Sequence, residues 1–188
     1  MTTPVLPSVD AIVDAVSPSR AVQATTRPDG QAGALVNQIV ALHDNNLVQW
    51  DREDAARRDG SDDLALAAAK RDIDRLNAAR HVYIEEIDRG IFEMITPLAG
   101  AAMATESPGL AIDRLSVLAI RLASTEKMAA AETADASLYA ERLPRLRRQF
   151  DALRTALASL FVDLGDGVRT FCPYEGLKIY RVDASGNG

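Results

Sequence analysis

The sequence predicts an all-α fold: an antiparallel helical bundle of four long helices, with a short N-terminal helix and a C-terminal extended tail or small hairpin. Three observations predict it. Alanine is very frequent and only 5% of the 188 residues are aromatic, a mixture that favours helix over strand. Across four long stretches apolar residues return every three or four positions, the period of one helix face. Short links rich in Gly, Asp, Ser and Pro separate those stretches, and short links make consecutive helices antiparallel neighbours.

Residues 1–31 read as a leader holding one short helix, begun by Ser8 and interrupted by Pro18, with "TTRPDGQ" as a turn-rich link. Residues 32–188 read as a single helical domain with an extended tail. Its first long helix spans about Ala32 to Arg58 and stops at "RRDGSDD", where Gly60 ends one helix and Ser61 or Asp62 caps the next. The second spans about Asp62 to Ile95 and is bounded by Thr96 and Pro97. The third opens at Ser107, a good N-cap, with Pro108 at the first helical position, where no amide donor is needed. It runs to about Ala131. The fourth covers about Ala136 to Leu164, with Pro144 expected to kink it or to mark its true first turn. Beyond it "VRTFCPYEGLKIYR" mixes β-branched and aromatic residues with Pro and Gly, the texture of an extended tail or hairpin.

Composition excludes several classes. A formal charge of −6 argues against a nonspecific nucleic-acid binder, which needs a basic surface. The single cysteine, Cys172, leaves no internal disulfide framework and suits a reducing compartment. No apolar run is long enough to cross a bilayer, and the N-terminus lacks the early positive charge of a signal peptide. The expectation is a cytoplasmic, soluble protein. The bias toward Ala, Arg, Asp and Val suits a GC-rich bacterial genome.

The informative positions are those where helical stripes fail to stay apolar. On the first long helix His43, Leu47, Trp50, Asp54 and Arg57 share one face, beside a stripe that includes Asn46 and Glu53. On the second, Lys70, Ile73, Asn77, Arg80 and Ile84 share a face, and Asp74, Asn77, His81, Glu85 and Asp88 form the adjacent stripe. On the third, Asp113 and Arg114 sit among Leu110, Ile112, Leu115 and Leu118, close after Glu106, Ser107 and Gly109. Buried charges must be paired, so these residues are expected to meet across helices. One outcome is a set of structural ion pairs; the other is a polar cavity between helices, where bundles place ligand sites. Gly109 has two readings of the same kind. It permits tight helix packing, or it bares helix N-terminal amides to an anion or carboxylate.

No familiar catalytic device is present. There is no phosphate-binding glycine loop and no nucleophile elbow. The two histidines, His43 and His81, do not follow glutamates at di-iron spacing, and Cys172 has no nearby histidine. A magnesium site of Asp and Glu has no spacing signature here, so no cofactor is predicted and magnesium is the alternative. What remains is acid–base work by carboxylates, with arginines holding an anionic or hydroxyl-rich substrate.

Four segments, "LVQWDREDAARR", "AKRDIDRLNAARHVYIEEID", "ESPGLAIDRLSVLAIRL" and "YEGLKIYR", carry a resemblance. In their order the chain resembles a bacterial helical family catalogued as domain of unknown function 4254, over roughly residues 34 to 181. The matching positions are Trp50, Glu53, Asp54 and Arg57; Lys70, Arg71, Ile73, Asp74, Asn77 and Arg80; Glu106 to Gly109 and Ile112 to Ser116; and Tyr174, Lys178 and Tyr180. Where the family continues with a Tyr-His-Met-like stretch this chain reads "ASTEKM", so no role for that histidine carries over. Family members lie near glycosyltransferase genes, which implies sugar or glycoconjugate assembly.

The functional expectation is a small enzyme or ligand-binding tailoring protein acting on a sugar-like or nucleotide-sugar substrate. Asp54, Glu53, Asp74 and Glu106 are the acid–base candidates. Arg57, Arg80 and Arg114 are expected to hold an anionic group, with Trp50 as an apolar wall and Lys70, Asn77, Ser107, Gly109 and Asp113 completing the pocket. The alternative is a noncatalytic helical partner of a glycosyltransferase, working as a homodimer, whose polar network sets helix register.

Overall fold

The computed structural model describes residues 5–17, 30–58 and 63–176. Five helices make up nearly all of it: α1 (Val9–Ala15), α2 (Gly30–Arg58), α3 (Asp63–Met94), α4 (Pro108–Ala129) and α5 (Ala136–Gly165). The protein is all-α, apart from two-residue strands β1 (Ala102–Met103) and β2 (Arg169–Thr170).

The start signals act as their chemistry dictates. Ser8 accepts the Ala11 amide at 3.2 Å and opens α1. Ser107 accepts the Leu110 amide at 3.4 Å and Pro108 takes the first position of α4, satisfying donors that a helix N-terminus leaves without partners. The expected caps at Gly60, Ser61 and Asp62, the Pro18 break and the first residues of the "TTRPDGQ" link lie outside the described residues, as do Lys178 and Tyr180.

α2 lies against α3, and α4 against α5, while α2 and α3 also touch α4. Asn45 donates to the Leu76 carbonyl, and Gly90 lies against Leu35, so α2 and α3 run in opposite directions. One core joins the elements: Leu35, Ile39 and Leu42 of α2, Ile84, Ile87 and Ile91 of α3, Ile112 and Leu115 of α4, and Leu157, Phe161 and Leu164 of α5. Each such side chain, fully buried, contributes about 1.5–3 kcal/mol. Ile12 and Val16 of the leader enter the same core, which is what holds α1 in place against α2 and α5.

Two expectations that left alternatives open are narrowed. Pro144 does not mark the first turn of the last helix, because α5 already begins at Ala136 and continues through the proline. Pro144 and Ala140 are both exposed, so water can take the carbonyl that the missing amide leaves without a helical partner. Of the two forms expected after α5, the described residues up to 176 take the extended one. β2 pairs in parallel with β1, Ala102 opposite Arg169 and Met103 opposite Thr170. Parallel neighbours cannot be joined by a tight turn, and here the α4–α5 pair is the connection. Gly167, at φ 72°, makes the approach possible: its carbonyl accepts the Leu98 amide at 2.8 Å, and a Cβ there would meet the Thr96 carbonyl at 2.7 Å. Among the described residues no helix is long and apolar enough to cross a membrane.

Candidate functional site

The polar positions separate into three groups, and the first is the candidate site. It forms where α2, α3 and α4 meet. Arg80 of α3 grips Asp113 of α4 with both prongs of its fork, Nε to Oδ1 at 2.7 Å and Nη2 to Oδ2. The Asp113 side chain is only 5% exposed, whereas Arg80 keeps 29% of its side chain at the surface. A two-pronged pair of this kind fixes the guanidinium plane as well as its charge. The hydrogen bond to Asp113 pushes the Arg80 pKa above its already high ordinary value against the opposing effect of burial, with the charges of Asp113 and Glu53 adding to it.

Behind this pair the network continues into the core. Asn46 of α2 donates to Asp113 Oδ1 at 3.0 Å and to Ser116 Oγ at 3.1 Å, and His43 Nδ1 shares a hydrogen bond of 2.9 Å with that same hydroxyl. His43, Asn46, Asp113 and Ser116 are all buried. One turn further along α2, Gln49 donates to Glu53 Oε1 at 3.0 Å and to Asn77 Oδ1 at 3.1 Å. Glu53 and Asn77 are therefore brought together through Gln49, and the Glu53 charge reaches Arg80 as well. Trp50 and Asp54 are half-buried on α2 nearby in sequence, and Asp54 is engaged in an interaction of its own. The side chain of Arg57 lies outside the described residues. Lys70 and Asp74 are exposed on α3, and among the described residues no contact ties them to the Arg80–Asp113 group.

The second group accounts for Ser107 and Gly109. Asp88 of α3 is fully buried. Its carboxylate accepts the Gly109 amide at 2.7 Å and the Tyr174 amide at 2.9 Å, and the Ser107 hydroxyl donates to it as well. The anion at the N-terminus of α4 is thus supplied by the chain itself. Burial pushes the Asp88 carboxyl pKa up, while the bonds from Ser107, Tyr174 and Gly109 pull it back toward the charged form. The same stretch of tail is strapped to α3 at two more points. The Tyr174 hydroxyl bonds His81 Nδ1 at 2.7 Å, and the Gly176 amide donates to Glu85.

The third group lies at the surface. Arg114 pairs with Glu106, their side chains 57% and 32% exposed. Glu106 also lines a cavity of about 320 Å³ between α4, α5 and β2, beside the Arg169–Asp163 pair at 2.8 Å. Asp113 and Arg114 are consecutive, yet one turns into the core and the other toward solvent, as the helical step of about 100° per residue requires. Glu106 and Arg114 therefore do not join Arg80.

Sequence reasoning left out His43, Gln49, Asn46, Ser116 and Asp88 as site residues. Asn46 and Asp88 were visible as polar members of otherwise apolar stripes. Only the packing tells which stripe faces a neighbouring helix. Among the described residues no group of three or more His, Cys, Asp and Glu side chains is arranged to hold a metal ion.

Fold and site together define a class: an all-helical protein in which a half-buried arginine–carboxylate pair joins two helices and is backed by a third. The chain belongs to the family described as protein of unknown function (DUF4254), whose model matches residues 36–172. No curated protein and no solved structure matches the chain.

Proposed function

We propose that the chain is a small enzyme or ligand-binding tailoring protein that takes a sugar-like or nucleotide-sugar substrate at the Arg80 site. The observation that carries this reading is the clamp itself: buried Asp113 orients a guanidinium that still reaches the surface, an arrangement suited to an anionic group such as a phosphate. In this reading Arg80 holds the anion, and Glu53 and Asp54 are the acid–base pair. Trp50 is the apolar wall, and Asn77 sets the position of Gln49 and Glu53. Asp74 and Glu106 act outside the site, and carboxylate acid–base chemistry needs no cofactor. The four long helices work as an antiparallel bundle, in a bacterial cytoplasm, in glycoconjugate or natural-product biosynthesis.

Calorimetric titration of a nucleotide sugar tests it. Arg80→Lys keeps the charge but loses the fork, and affinity is expected to fall by about tenfold or more. Asp54→Asn is expected to keep binding and lose pathway output. The reading fails if folded Arg80→Lys and Asp54→Asn proteins bind and function like the parent.

A second reading has an observation of its own. Leu64, Leu66, Val82 and Phe92 of α3, and Leu138 and Val162 of α5, are exposed, and scattered apolar side chains on long helices suit a noncatalytic helical partner of a glycosyltransferase, or a homodimer. Sedimentation showing a monomer, with no glycosyltransferase recovered alongside it from its own cell, would exclude this version.

A further inference from the structure

Two side chains in the candidate site are left half-satisfied. Asn46 and Gln49 are 5% and 8% exposed, and neither the Asn46 Oδ1 nor the Gln49 Oε1 oxygen meets a donor. Their orientation is not arbitrary. The Gln49 amide nitrogen is committed to two acceptors, Glu53 and Asn77, and that of Asn46 to Asp113 and Ser116. A flip of Gln49 would set its oxygen against those of Glu53 and Asn77. Buried acceptors without donors are rare in folded proteins and expensive to leave so. Here two occur three residues apart on one helix face, one turn from each other.

Their place in the fold is the last buried turn before the ends of α2 and α3. Gln49 is the last buried residue described on α2, and Leu76 is the first on α3. Beyond them the paired ends of the two helices bury no described residue, so the apolar core stops where the two oxygens begin.

We infer that the Asn46 and Gln49 carbonyl oxygens form a subsite for a primary ammonium group of a ligand whose anionic end lies on Arg80. This rests on the Arg80 reading above and names a feature of the substrate. An ammonium brings three donors and can satisfy both oxygens at once; a single hydroxyl brings one. With Asp113 already paired to Arg80, the carboxylate of Glu53, bonded to Gln49, leaves one net negative charge beside the two oxygens and favours a cation over a neutral group.

The test uses the full chain and three probes: inorganic phosphate, 2-hydroxyethyl phosphate and 2-aminoethyl phosphate. The last two differ only in hydroxyl against ammonium. The amine is expected to bind about tenfold or more tightly than its hydroxyl counterpart and to shift the side-chain amide resonances of Asn46 and Gln49. Gln49→Met is expected to erase that preference, read as the ratio of the amine and hydroxyl affinities measured on the one variant. Should Gln49→Met not fold, the amide shifts in the unaltered protein decide the matter. Equal binding of the three probes, or amide resonances unmoved by the amine, overturns the subsite and assigns the two oxygens to ordered water. Failure of all three probes to bind overturns the Arg80 reading and the subsite with it.

Discussion

The Asp88 carboxylate accepts the Gly109 amide at 2.7 Å, and a Cβ on Gly109 would meet that same carboxylate oxygen and the Ile84 carbonyl, each at 2.8 Å. Gly109 is therefore required by a contact between two helices, and the contact is polar. α4 begins against α3 because a buried acid on one helix supplies the anion that the N-terminus of the other favours.

Gly109→Ala follows directly. Alanine is the better helix former by about 1 kcal/mol, and in an open helix the change would stabilise. Here the new methyl group meets a backbone carbonyl that cannot move alone, so overpacking of about 1–3 kcal/mol outweighs the gain. Urea unfolding of the variant should show a lower midpoint. A raised midpoint would contradict the packing described.

The pH dependence of Asp88 has a definite sign. Its pKa is raised in the folded protein, so the folded state keeps a proton that the unfolded chain has already released. The stability it contributes is full below the unfolded pKa and is lost as pH rises through the folded value. A carboxyl carbon resonance of Asp88 titrating above the usual aspartate range is expected in NMR. Asp88→Asn should remove this contribution from the stability–pH curve while lowering stability overall, because one amide or hydroxyl donor then faces an NH₂ group.

Removing the chain from Tyr174 onward withdraws the Tyr174 amide from Asp88 and the Gly176 amide from Glu85. The Asp88 titration is expected to shift, because one donor to the charged carboxylate and part of the cover over it are lost together. The melting temperature should fall by the equivalent of about 1–3 kcal/mol. An unchanged Asp88 titration would show that the strap does not reach it.

Two neighbouring arginine pairs should respond very differently to alanine. Arg80→Ala leaves Asp113 buried and without its charge partner, which costs about 3–5 kcal/mol. Arg114→Ala breaks a pair whose side chains are 57% and 32% exposed and should cost less than about 1 kcal/mol. Denaturant unfolding of the two variants side by side reads the contrast, and equal losses would show that the burial is misassigned.

The helices were legible because their punctuation is chemical. Ser107 and Pro108 announce the start of α4, and the observed helix obeys them. Periodicity likewise placed Arg80 and Asp113 on faces that must be covered. It could not pair them, since sequence spacing carries no information about which helix lies opposite. For the same reason Arg114 and Glu106, which pair with each other at the surface, could not be told apart from Arg80 and Asp113. Asp88 was hidden by its surroundings: between Ile87 and Ile91 it reads as one more polar residue at the edge of a stripe, and its partners come from residues 107, 109 and 174. The parallel pairing of Ala102 with Arg169 was out of reach too, because it joins loops separated by two whole helices. Family resemblance named the segments without saying which of their residues touch.

The claim on which the functional reading depends is that Asp113 positions Arg80 for a ligand. Asp113→Asn tests it most directly, since the arginine stays charged while the second prong of its fork loses its acceptor. Phosphate and nucleotide-sugar affinities, measured by calorimetry on protein shown by circular dichroism to be folded, are expected to fall about tenfold. Affinities equal to those of the parent protein would mean that the Arg80–Asp113 pair only ties helices together.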